Sequence, residues 1–131
     1  MPHPFGHIAC CVDGSSSGAA ALETSLALWG DAGGRLSLLH GGPGLRDQDP
    51  AVLADEWLRR RGGEMPGAEP VFLVGEQGAA VCDWAREAEP DLIVVGANSG
   101  RLPGLVAGGF VHDLLERAPC AVLVVGGGAG R

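Results

Sequence analysis

The feature that most constrains this chain is the alternation of short, wholly apolar runs with longer segments of helical periodicity. Five runs, His7 to Val12, Arg35 to His40, Pro70 to Val74, Leu92 to Gly96 and Cys120 to Val125, read as strands. Continuous apolar runs of this length mark strands covered by helices on both faces. Between them lie four helical patterns. Ser17 to Trp29 places Leu22, Leu26 and Trp29 on one face, with Ser15 or Ser16 available as N-cap and Gly30 as a stop. A second pattern, Pro50 to Arg61, opens on Asp-Pro, sets Leu53 and Trp57 together and ends before Gly62-Gly63. A third, Ala79 to Ala88, presents Val81, Ala85 and Ala88 and stops before Pro90. The fourth, Gly109 to Arg117, buries either Phe110 and Leu114 or Val111 and Leu115.

The order βαβαβαβαβ selects an α/β fold, a doubly wound three-layer α/β/α sandwich around a five-stranded parallel sheet with right-handed crossovers. In such sheets ligands bind beyond the C-terminal strand ends, where the strand order reverses. A length of 131 residues with 46% apolar content fits one domain, expected to span residues 1–126. Residues 127–131, glycine-rich, are expected to form a flexible tail.

Charge and composition exclude several function classes. A net charge of −7 argues against a nucleic-acid partner, because phosphate backbones are held by clustered cations. The single basic cluster, Arg59 to Arg61, sits at a helix end, where cations suit the dipole. All nine basic residues are arginine, which removes P-loop, Schiff-base and receiver-type lysine chemistry. The apolar runs are far shorter than the roughly 20 residues of a spanning helix, so no membrane partner is expected. The start, Met1 to Phe5, lacks the basic and apolar regions of a secretory signal, and the expected location is cytoplasmic.

Cys10, Cys11, Cys82 and Cys120 form no C-x2-C pair, so they are expected to be reduced, buried and structural, with Cys10 and Cys11 on opposite sheet faces. His40 and His112 lie near the C-terminal edge without a carboxylate placed by spacing, so neither a metal site nor a catalytic residue is assigned; His3 and His7 read as incidental.

Two strand ends carry the candidate binding chemistry. Strand one runs into Val12-Asp13-Gly14-Ser15, a carboxylate and a small polar turn at a helix start, which serves either a ligand or simple turn closure and capping. Strand four ends in the stretch Gly96 to Gly109, whose five glycines and Arg101 feed directly into a helix. Glycines let backbone approach a phosphate, and unpaired N–H groups at a helix start donate to it.

Taken in order, these stretches resemble the universal stress protein family over nearly the whole chain. Cys11-Val12-Asp13-Gly14-Ser15 followed by Ala21-Leu22 is similar to that family's first strand and turn, and Leu38-Leu39-His40 to its second strand end. Gly75-Glu76-Gln77-Gly78, then Glu89-Pro90-Asp91 through Gly96, resemble its third helix and fourth strand, and Ala118-Pro119-Cys120 through Val125 its last strand. The resemblance implies a strand order of 3-2-1-4-5 and a homodimer paired through the last strands. It also implies that a binding member holds ATP or AMP, with no metal beyond nucleotide-bound Mg.

By the same resemblance the base would meet Val12, Asp13, Gly41 and Val95, with Gly14 and Ser15 in the adjoining turn. The phosphates would lie over Gly96, Gly100, Arg101, Gly108, Gly109 and Phe110. Binding members carry G-x2-G-x9-G followed by Ser or Thr, and this chain departs from that pattern. Counting from Gly96, Ser99 stands where the second glycine belongs, Gly109 matches the third and Phe110 takes the hydroxyl position. Counting back from Pro119-Cys120, Gly108 becomes the third glycine and Gly109 takes the hydroxyl position. Either way the hydroxyl is lost, which implies weak nucleotide binding in a regulatory or stress-response module. The alternative is a dimeric interaction protein of the same family without nucleotide. A nucleotide hydrolase fits least, for want of a lysine or a paired acid and base.

Overall fold

The computed structural model describes residues 5–12, 16–30, 34–41, 68–73, 77–97 and 109–126. Five strands, β1 (His7–Cys11), β2 (Arg35–Gly41), β3 (Ala68–Leu73), β4 (Leu92–Gly96) and β5 (Ala121–Val125), form one sheet. The order is β3-β2-β1-β4-β5 and every pairing is parallel, so the sequence-based fold and strand order are both observed. Three helices are described: α1 (Ser16–Gly30), α2 (Gln77–Ala88) and α3 (Gly109–Arg117). The helical pattern at 50–61, the Arg59 to Arg61 cluster, His3 and the tail at 127–131 lie outside the described residues.

Alternation along the strands divides the core. Ile8, Cys10, Leu36, Leu38, Leu92 and Val94 face α1, whereas Ala9, Cys11, Leu39, Ile93 and Val95 pack with α2 and α3. Cys10 and Cys11 therefore diverge as strand geometry requires. None of the four cysteines is in a disulfide; Cys120 is only half-buried, because it precedes β5 at the rim and is not inside the core. Burial pushes the Cys82 and Cys120 thiols above their ordinary value, which keeps them protonated.

Helix α1 differs from its expected stripe. Besides Gly18, its buried residues are Ala21 and Ser25, flanked by half-buried Leu22, Leu26 and Trp29. Two small residues let the helix axis approach the sheet, and the Ser25 hydroxyl satisfies itself by donating to the Ala21 carbonyl at 2.8 Å. In α3 the choice between two stripes is resolved: Phe110 and Leu114 are buried and Leu115 is 59% exposed.

Strand β3 starts two residues before its apolar run. The ladder with β2 pairs Leu36 with Ala68 and Ser37 with Glu69, so polar Glu69 is recruited by pairing and not by hydropathy. Pro70 is tolerated because β3 is an edge strand. Val74 lies outside the described residues, and β1 and β5 are each one residue shorter than expected, although the Val12 N–H still donates to the Leu39 carbonyl at 2.9 Å.

Candidate nucleotide site and the opposite edge

The reversal of strand order falls between β1 and β4. The connection from β1 leads to β2 on one side, while β4 joins β1 on the other. Ile8 pairs with Leu92 and Cys10 with Val94, and the same register brings Val12 opposite Gly96 at the C-terminal ends. Gly41 closes β2 at this edge. Helix α3 begins here with Gly109, since it must run back to the opposite edge to start β5. Its first N–H groups have no partner within the helix. The Ala97 N–H, by contrast, is spent on the Val125 carbonyl at 2.8 Å.

Of the candidate residues, the structure brings Val12, Gly41, Val95, Gly96, Gly109 and Phe110 to this edge. Asp13, Gly14, Ser15, Gly100, Arg101 and Gly108 lie outside the described residues. Neither Val95 nor Phe110 presents its side chain to a ligand. Val95 is fully buried and Phe110 is 5% exposed, both in the cluster beneath α2 and α3. Gly109 is exposed, and a Cβ built there would meet no atom within 4 Å. Asp113 is aimed away from the first turn of α3: a Cβ at Gly78 would lie 2.9 Å from Asp113 Oδ2. Its carboxylate therefore sits against the N-terminal turn of α2, where negative charge is favoured.

The two histidines of this region have structural surroundings. His40 stacks on Phe72 with ring centroids 4.7 Å apart. His112 Nε2 lies 3.1 Å from Glu116 Oε1 on the exposed face of α3. Among the described residues, no group of three or more metal-ligating side chains comes together. Among the same residues, no helix is long and apolar enough to cross a membrane.

Sequence reasoning missed a polar network at the other end of the sheet. His7, read as incidental, is 7% exposed and sits beside fully buried Ser37, with Glu69 and Arg35 completing the group. The available signal was a serine inside an apolar strand and a glutamate at the start of the next, two polar residues that parallel pairing sets side by side.

An open parallel sheet of order β3-β2-β1-β4-β5 with helices packed on both faces defines a doubly wound α/β module. A model of the universal stress protein family matches residues 4–126, and the chain belongs to that family. Among solved structures, the universal stress protein UspA from Lactobacillus plantarum is similar at 23% identity and TM-score 0.72, over 92% of this chain and 97% of that one. A universal stress protein family member from Arabidopsis thaliana with AMP bound shares 18% identity at TM-score 0.63, over 92% and 90% of the two chains. The universal stress protein from Archaeoglobus fulgidus in complex with dAMP shares 20% identity at TM-score 0.64, over 95% and 99%. No curated protein matches the sequence.

Proposed function

We propose that this protein is a small cytoplasmic regulatory module that holds an adenine nucleotide, ATP or AMP, weakly at the C-terminal edge of the sheet without turning it over. The observation that carries this reading is the coincidence of the strand-order reversal with an open helix start. Val12 and Gly96 flank the reversal, and α3, which follows β4 in the chain, starts at an exposed glycine. Backbone N–H groups and the helix dipole supply a field for phosphate despite the negative net charge. The family match and the relatives solved with AMP and dAMP support the choice of ligand.

Binding is weak because no hydroxyl stands at the start of α3. Gly109 has none, and Phe110 is turned into the core. One charge-assisted bond of that kind is worth roughly 1.5 to 3 kcal/mol, or about one to two decades in affinity. Asp13, Gly14 and Ser15 on one side, with Gly100, Arg101 and Gly108 on the other, complete the site in this reading. Any metal arrives as the Mg of the nucleotide.

A second reading, a dimeric interaction protein without nucleotide, is favoured by β5. It is an edge strand whose Leu123 and Val124 are each 37% exposed, an apolar edge that pairing with a second copy would cover. The two readings are compatible in one homodimer and separate on titration. Calorimetry with ATP and AMP should give millimolar to micromolar binding that Asp13→Ala weakens. Absence of heat at millimolar nucleotide would leave only the second reading.

A further inference from the structure

Helices α2 and α3 both start at the C-terminal edge of the sheet, since each follows one parallel strand and runs back to begin the next. Their positive dipole ends therefore point to the same edge, the one where the nucleotide is proposed to sit. Neither helix has an acidic residue in its own first turn. The start of α2 nevertheless has a carboxylate against it, and α3 supplies it. A Cβ built on Gly78, the second residue of α2, would lie 2.9 Å from Asp113 Oδ2, 3.1 Å from the Asp113 Cβ and 3.4 Å from its Cγ.

Gly78 is buried and Asp113 half-buried at this contact. Glycine is a poorer helix former than alanine, and here the Asp113 side chain takes the space of the missing methyl group. The first N–H groups of an α-helix find no carbonyl within it, and an oxygen acceptor from outside is what such a start calls for. Asp113 thus occupies the place of a cap on α2, supplied across the helix pair from about one turn beyond Gly109.

Two kinds of contact hold α3, and they constrain it differently. Phe110 and Leu114 bury its inner face in the core, and apolar burial is non-directional, so it tolerates a small slide or rotation of the helix. A carboxylate placed against helix N–H groups must keep both distance and angle. It lies on the flank of α3 that faces α2, and it fixes the lateral placement of the first turn, which burial leaves free.

We propose that Asp113, with Gly78 as its seat, is a positioning residue of the nucleotide site: it ties the first turn of α3 to the start of α2 and so holds the N–H groups at Gly109 where they receive phosphate. This inference rests on the nucleotide reading above. Asp113 acts through the helix and does not itself meet the phosphate. The sign of its effect sets this role apart from that of a charge that merely lies nearby. A bystander carboxylate repels phosphate, so its removal tightens binding. Removal of a positioning carboxylate weakens it.

The test is calorimetric titration of the full chain with AMP, with urea unfolding of each protein alongside. Asp113→Ala should raise Kd about three- to tenfold, the worth of one hydrogen bond to phosphate lost from alignment. Asp113→Asn keeps an acceptor oxygen over Gly78 and should bind within about twofold of wild type, or tighter. Gly78→Ala keeps the charge but drives it off its seat, so it should weaken AMP to the same extent as Asp113→Ala. The better helix propensity of alanine offsets the lost contact, which leaves the urea midpoint of Gly78→Ala near wild type. The double variant should bind no worse than Asp113→Ala alone, because both changes remove one contact. Wild-type affinity or better in Asp113→Ala overturns the proposal. So does a weakening in Asp113→Asn equal to that in Asp113→Ala, or losses that add in the double variant. A wild type that takes up no AMP overturns the nucleotide reading itself, and the positioning role with it.

Discussion

If phosphate groups rest on the first turn of α3, restoring a hydroxyl there should tighten ATP binding, and Gly109→Ser is the substitution that can do so. The new Cβ meets no atom within 4 Å, so the hydroxyl enters without displacing anything. Serine near a helix N-cap also stabilises the helix by a few tenths of a kcal/mol relative to glycine. The neighbouring position is closed to the same experiment. Phe110 is 5% exposed in a cluster with Val81, Ile93 and Leu114, and Phe110→Ser would empty that place at a cost of about 3 to 5 kcal/mol. A hydroxyl donating to an ionised phosphate oxygen is worth roughly 1.5 to 3 kcal/mol, so Kd for ATP should fall about 10- to 100-fold. Calorimetric titration of wild type and Gly109→Ser at one ionic strength, with thermal melts to confirm folding, measures this directly. A folded Gly109→Ser protein whose ATP affinity lies within about twofold of wild type would refute the placement of phosphate on α3.

Three further outcomes follow from other contacts. A Cβ at Gly34 would overlap the Gly6 carbonyl oxygen and come 2.9 Å from its carbon, on a group that already accepts the Arg35 N–H at 2.8 Å. Gly34→Ala should therefore lose about 2 to 4 kcal/mol in urea denaturation, whereas Gly30→Ala, with nothing within 4 Å, should gain up to about 1 kcal/mol; similar midpoints for the two would contradict the close approach. His7 is held below its ordinary value of 6.5, so its contribution to stability is present above that value and lost as pH falls through the lower folded one. Glu69, held below 4.5 chiefly by its bond from Arg35, contributes above that value and loses its part in stronger acid. Melting temperatures from pH 8 to 3 should fall in both windows, and His7→Gln should remove the upper fall; an unchanged profile in that variant counts against the assignment. Finally, Leu123→Asp should convert a dimer paired through β5 to monomer in light scattering, and a wild type already monomeric at high concentration rules that pairing out.

The fold was legible because the strands are buried on both faces. Leu92 to Gly96 and His7 to Cys11 are buried throughout, and such strands must be written as unbroken apolar runs. Boundaries were legible only where composition changed at the same residue as structure, as at Gly109 and Arg117. They shifted at β3, where pairing with β2 drew in Ala68 and Glu69 against their polarity. The helical stripes were harder to read. α1 turns Ala21 and Ser25 to the sheet because small residues permit close approach, while hydropathy alone points to the leucines beside them.

The two ends of the sheet differed in legibility for a geometric reason. At the C-terminal edge the proposed site draws on contiguous segments, Val12 onward and Gly96 to Gly109, so a linear reading can propose it and mark the absent hydroxyl. At the N-terminal edge the interacting residues come from three strands, and His7, Ser37 and Glu69 become neighbours only once two registers are fixed. His7 pairs with Arg35 and Ser37 with Glu69, so the bonds from His7 to Ser37 run on the diagonal. A slip of one residue in β2 would turn Ser37 to the α1 face and leave both His7 and Glu69 without their shared partner in a buried setting. The network therefore fixes the register of β1, β2 and β3. A sequence position that looks incidental in isolation can thus be the one on which the alignment of three strands depends.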